Sequence, residues 1–159
     1  MSAVTATPAA AATITSALTA EAFAALRPGD RFELTTEPVT TQQLVRYAGA
    51  SDDYNRIHYD QPYAVEVGLG GVIAHGMLTM AFMGRAASMV VGPRGQVKRL
   101  SARFTSPVRP GDAVHVVGTV TQTHVAAPLG ELHCRLDVDV GGRGVANGEA
   151  TLLIPTNPS

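Results

Sequence analysis

Carboxylates, an amide and an imidazole crowd into ASDDYNRIHYD, residues 50–60 of a 159-residue chain. Asp53 and His58 stand five positions apart there. On a regular helix, side chains at i and i+5 diverge by more than a quarter turn, whereas a loop can fold both toward one point. A carboxylate beside an imidazole holds the ring in one tautomer and tunes its basicity near neutral pH, where the free side chain titrates at about 6.5. That is equipment for general acid–base chemistry. Taken alone it is weak evidence, because Asp and His are also ordinary residues of turn-forming polar loops.

A second segment adds to it. In IAHGMLTM, residues 73–80, His75-Gly76 opens the most apolar stretch of the chain. If a helix starts there, its first backbone N–H groups have no intrahelical acceptor, and the positive end of its dipole favours oxygen on which negative charge develops. A glycine lets a ligand approach the backbone closely, so the Gly76 N–H is a candidate oxyanion donor. The plainer reading is that Gly76 packs against a strand while His75 caps the helix or fills space.

These residues need elements to hold them. Residues 75–91 carry Met77, Leu78, Met80, Phe82, Met83, Met89 and Val90 with hardly a polar face, which predicts a helix buried on all sides. Residues 40–50 read as a second, amphipathic helix. The second half of the chain alternates: Leu132, Cys134, Leu136, Val138 and Val140 fall on one face, and Glu131, His133, Arg135, Asp137 and Asp139 on the other. Similar strands are expected at 97–108, at 113–125 across Gly118, and at 144–154, forming an antiparallel meander. LRPGDRFEL (26–34) and VRPGDAVHV (108–116) each place Pro-Gly-Asp ahead of an alternating segment, a tight turn feeding a strand. The economical way to bury such a helix in so small a chain is to wrap the sheet around it. The expected class is therefore α+β, a single hot-dog fold.

Composition narrows the functional classes. A hydrophobic content of 45% can bury one core, and we expect one domain at 20–155, an Ala/Thr-rich tail at 1–19 disordered at least in part, and a short tail at 156–159. Twelve basic residues against thirteen acidic ones give no footprint for nucleic acid. The single cysteine, Cys134, allows no intrachain disulfide, and no stretch reaches the roughly 20 apolar residues of a membrane span. With no basic start of a secretory signal, a cytoplasmic location is expected. The histidines are dispersed in spacings that match no metal-ligand pattern, so neither metal nor cofactor is expected. His115, His124 and His133 read as strand-surface residues.

The two blocks together, Asp53-Tyr54-Asn55-Arg56-Ile57-His58-Tyr59-Asp60 and Ile73-Ala74-His75-Gly76-Met77-Leu78, resemble in order and separation the hydratase signature of MaoC-like proteins and R-specific enoyl-CoA hydratases. The resemblance runs from about Pro28 to Ile154 and looks strongest toward the catalytic subunit of actinobacterial (3R)-hydroxyacyl-ACP dehydratases. It implies reversible hydration of trans-2-enoyl thioesters to (3R)-hydroxyacyl products. Asp53 and His58 would handle the water and the substrate proton, the Gly76 N–H would hold the thioester oxygen, and Asn55, His75 and Met77 would contribute to substrate binding, Asn55 by orienting the loop. Arg56 stands where the family usually has proline, and Gly84 where some relatives carry serine. The implied partners are an acyl-CoA or acyl-ACP substrate and a second hot-dog unit, either a copy or a different subunit. A non-catalytic acyl-thioester-binding subunit and a thioesterase are the competing readings. Tyr47, Tyr54, Tyr59 and Tyr63 could line an acyl tunnel but are expected to be packing. Met77, Met80 and Met83 serve equally as acyl pocket or core filler, and Arg85, Arg94, Lys98 and Arg99 equally as carrier contacts or solvated charges.

Overall fold

The computed structural model describes residues 11–157, and in it both Pro-Gly-Asp passages fold into the same turn. Gly29 and Gly111 take the left-handed φ values of 99° and 94° that only glycine adopts readily after proline. The Asp30 N–H reaches the Arg27 carbonyl at 3.1 Å, while its carboxylate accepts the Arg27 N–H at 2.8 Å. Asp112 repeats the pattern on Arg109 at 3.0 and 2.8 Å.

The first turn launches β1 (Arg31–Thr35); β2 (Gln96–Phe104) precedes the second turn, and β3 (His115–His124), β4 (Leu129–Val140) and β5 (Arg143–Pro155) follow it. The helices are α1 (Ala20–Ala25), α2 (Thr41–Ser51), α3 (Gln61–Glu66) and α4 (Gly76–Val91), with a 3-10 turn at Arg56–His58. The five strands form one antiparallel sheet in the order β1-β3-β4-β5-β2. Only β3, β4 and β5 meander as expected. β2 does not lie beside β3, because β1 already occupies that edge through pairs such as Phe32 with Gly118, so β2 closes the far side on β5.

Leu132, Cys134, Leu136 and Val138 are buried on the inner face of β4, as their alternation requires, while Val140 is half-buried. Burial pushes the Cys134 thiol up to about 12, which leaves it inert at neutral pH. Opposite these residues α4 buries Leu78, Phe82, Met83, Ala86, Ala87 and Val90. The expectation of a helix enclosed on every side is corrected, since the stripe Met77, Ala81, Arg85, Ser88 and Met89 is exposed. A five-stranded sheet curves around only part of a helix, and apolar composition alone did not reveal the open side.

Of the segment 1–19, expected to be disordered at least in part, residues 11–19 are described and are tied to the body of the fold. Backbone hydrogen bonds join Ile14 N–H to the Arg31 carbonyl at 2.6 Å, Arg31 N–H to the Ala12 carbonyl at 2.8 Å, and Leu18 N–H to the Val90 carbonyl at 2.9 Å. The Asp30 carboxylate also accepts the Ala12 N–H at 2.8 Å. The open edge of β1 offers backbone groups that any sequence can pair with, and Ile14 and Leu18 pack on the core. Residues 1–10 and 158–159 lie outside the described residues. Thr156, assigned to the C-terminal tail, is bonded to the Pro128 and Ala126 carbonyls at 3.0 and 2.7 Å.

Candidate active site

The amphipathic helix α2 begins where the Thr40 hydroxyl accepts the Gln43 N–H at 3.1 Å, and it buries Leu44 and Ala48. Its end is abrupt. Asp52 takes the left-handed conformation, φ 56°, a short polar residue doing what glycine does at most helix ends. The chain turns there, and Asp53 follows. Its Oδ1 accepts the Asn55 N–H at 3.2 Å, and the Asn55 Oδ1 in turn accepts the Ile57 N–H at 3.3 Å, capping the 3-10 turn that carries His58. Arg56 donates to the Asp60 Oδ2 from two nitrogens, at 2.7 and 3.0 Å, and lies 4.3 Å over the Tyr63 ring. That guanidinium holds the Asp60 carboxyl below its ordinary range.

The His58 ring is buried, with its Nδ1 at 2.8 Å from the Ile73 carbonyl. A carbonyl can only accept, so Nδ1 carries the proton and the neutral ring presents a lone pair at Nε2. That nitrogen lies 4.0 Å from the Asp53 Oδ2, and the Asp53 side chain is 52% exposed against 9% for His58. One partner is thus open to solvent while the other is held rigidly from behind.

Gly76 is the first residue of α4, and its N–H finds no acceptor among the described residues. It stands at a cleft of about 320 Å³ whose lining includes His58, Leu69, Gly76, Thr79, Phe104 and Val108. A Cβ at position 76 would come within 2.9 Å of the Phe104 ring, so the absence of a side chain keeps both the aromatic wall and the N–H in place.

His75, which the family resemblance assigns to substrate binding and the plainer reading to capping or filling space, lies behind the site. It is 1% exposed and does not line the cleft. Its ring stacks on His58, centroids 3.7 Å apart at 22°, with Tyr47 at 4.9 Å. Its Nε2 is 3.2 Å from the Asp53 carbonyl, and its buried Nδ1 has no hydrogen-bond partner. Burial holds its pKa below the ordinary histidine value. A buried acceptor left unpaired costs about 1–3 kcal/mol.

The loop therefore brings Asp53 to 4.0 Å from His58, and His58 shares with Gly76 a cleft that Asp53 itself does not line, with Asn55 as the internal cap of the loop. Met77, also expected at the substrate, is 57% exposed on the open stripe of α4 and is not among the residues lining the cleft. Met83 is core filler, Tyr54 and Tyr59 are exposed, and Tyr63 lies beneath Arg56. Thr79 and Phe104 were not singled out for the site. Thr79 follows Gly76 by three residues and so shares its helical face, a signal that was available. His115, between Asp139 at 3.0 Å and Glu33 at 3.5 Å, and His133, 3.5 Å from Glu131, belong to the outer face of the sheet.

Asp53, His58 and His75 each bring a potential metal-ligand atom within 4.8 Å of the others. A metal binds in the plane of an imidazole along its lone pair, and two stacked rings have nearly parallel planes, so their lone pairs run side by side instead of converging. The arrangement suits a hydrogen-bonded acid–base pair better than a shared ion. Among the described residues no helix is long and apolar enough to cross a membrane.

Known proteins share both fold and sequence with this chain. It is 32% identical over 118 residues to the (R)-specific enoyl-CoA hydratase of Rhodospirillum rubrum, covering 74% of this chain and 81% of that one. With the 3-hydroxybutyryl-CoA dehydratase of Methylorubrum extorquens it shares 27% identity over 77% of this chain and 78% of the relative. The unliganded R-hydratase PhaJ1 of Pseudomonas aeruginosa superposes with a TM-score of 0.76 at 29% identity, covering 85% and 86% of the two chains. The profile of the MaoC-like domain matches residues 23–133, a span that includes the helix–loop–helix segment, the first three strands and the start of β4. With a family model matching more than half of its length and a hot-dog sheet around α4 shared with these relatives, the chain belongs to the MaoC-like domain family.

Proposed function

We propose that this protein adds water reversibly across trans-2-enoyl thioesters, giving (3R)-hydroxyacyl thioesters, with Asp53 and His58 as its acid–base pair. The observation that carries the reading is the 4.0 Å separation between the His58 Nε2 lone pair and the Asp53 Oδ2. It is too long for a direct hydrogen bond, yet one water can lie between the two acceptors and donate a hydrogen to each. The pair removes a proton as the water oxygen bonds to the β-carbon, and returns a proton to the α-carbon from the same side. In between, the thioester oxygen carries enolate-like charge, and the unpaired Gly76 N–H at the positive end of α4 is the donor for it. The stereochemistry is supported by the names of the hydratase relatives.

The test is hydration of crotonyl-CoA, followed by loss of the conjugated thioester absorbance, with the product resolved by chirality. Asp53→Asn and His58→Ala are each expected to lower kcat by about 10²–10⁴-fold with the thermal midpoint little changed. Near-normal turnover by either folded variant would remove the assignment. The same acyl group presented on CoA and on acyl carrier protein decides the carrier. The outer edge of β2 and the open stripe of α4 further support pairing with a second hot-dog unit, a copy of this chain or a different subunit.

A further inference from the structure

We infer that His75 is a positioning residue of this site: its Nε2–H fastens the main chain of Asp53 while its ring backs His58, so that one side chain sets the spacing of the acid–base pair. The inference rests on the hydration reading above. The hydrogen bond joins residues 22 positions apart, tying the start of α4 to the loop after α2. Both catalytic candidates touch this ring, Asp53 through its carbonyl at 3.2 Å and His58 through a face-to-face contact at 3.7 Å. Tyr47 closes a third side.

Packing alone does not account for a histidine here. The acceptor at Asp53 requires the proton on Nε2, which leaves the buried Nδ1 as a lone pair with no donor. A phenylalanine would fill a similar volume without that penalty, so what the histidine adds is the N–H directed at Asp53. Burial keeps the ring neutral, which spares His58 a neighbouring positive charge when it takes up the proton from water. Misplacing a reacting group by about 1 Å can lower a rate 10²-fold, so fastening the pair is worth an unpaired acceptor.

The experiment compares the full chain with His75→Phe and His75→Gln in crotonyl-CoA hydration, alongside NMR of the histidine ring nitrogens in the unaltered protein. His75→Phe is expected to lower kcat by about 10–100-fold with little change in KM. His75→Gln, whose amide nitrogen can take the place of Nε2, is expected to recover part of that loss. In the unaltered protein His75 is expected as the neutral Nε2–H tautomer at neutral pH. Turnover by His75→Phe at the unaltered kcat, or an Nδ1–H tautomer at His75, overturns the inference. An unaltered chain that leaves the enoyl thioester untouched defeats the hydration reading instead, and the tautomer then decides the fastening by itself.

Discussion

At the residue scale, Arg56 shows how a departure from a family pattern is absorbed. It is the first residue of the 3-10 turn, a position that suits proline because the N–H there has no helical acceptor. Asn55 before it is extended, φ −61° and ψ 124°, as a residue preceding proline must be. Arg56 supplies rigidity by another route, through Asp60 and Tyr63. Arg56→Ala is therefore expected to lower kcat several-fold with little change in stability, because an exposed ion pair is screened by solvent, and Arg56→Pro to retain activity. Steady-state kinetics with a urea midpoint for each variant checks both. His75 gives a pH dependence. Because burial lowers its folded-state pKa, the unfolded chain binds a proton on this side chain below about pH 6.5 that the folded chain refuses. Its contribution is present above that pH and is lost on acidification. The charged or titratable groups around the ring are His58, Asp53 and Tyr47. Asp60, Glu131 and Asp139, whose pKa values are also lowered, act in the lower carboxylate window. Urea midpoints taken between about pH 7.5 and 5.5 are expected to fall for the unaltered chain and to fall less for His75→Gln; equal slopes would contradict this.

At the element scale, the sheet depends on places where a side chain is missing. Gly118 sits on the inner face of β3 opposite Phe32 of β1, and a Cβ there would meet the Phe32 ring at 2.1 Å. Phe32 is 2% exposed and has no free side toward which to move. Gly118→Val is expected to destabilise the fold by about 1–3 kcal/mol through overpacking, although valine favours strands in isolation. Denaturant unfolding measures the loss. Since β3 carries none of the cleft-lining residues, kcat of the folded fraction is expected to stay unchanged.

At the scale of the whole molecule, the chain bridges β1 only at Arg31, and no further strand pairs with the outer edge of β2 among the described residues. That open strand carries the exposed Phe104 at its end, and Met77 in the first turn of α4 is exposed as well. Open strand edges and contiguous apolar surface favour association. The purified chain is expected to sediment at twice its 16.5 kDa mass or to require co-expression with a second hot-dog subunit for full activity. A fully active species at the mass of one chain would exclude both.

The chain's local chemistry was enough to locate the loop, the helix start and most strands. Alternation along residues 131–140 separates the two sheet faces because side chains on a strand must point alternately, and Pro-Gly-Asp fixes its turn wherever it occurs. The ordering of β2 against β5 was not readable, because strand pairing depends on which edges other segments have already taken. The open stripe of α4 was hidden because apolar residues occupy exposed positions as well as buried ones. Asp53, His58 and Gly76 were singled out by residue type and spacing, whereas the environment of His75 was not legible there. Its burial behind His58 follows from the approach of two loops distant in sequence, and only the assembled fold decides which side of a ring faces a cleft and which faces a neighbour.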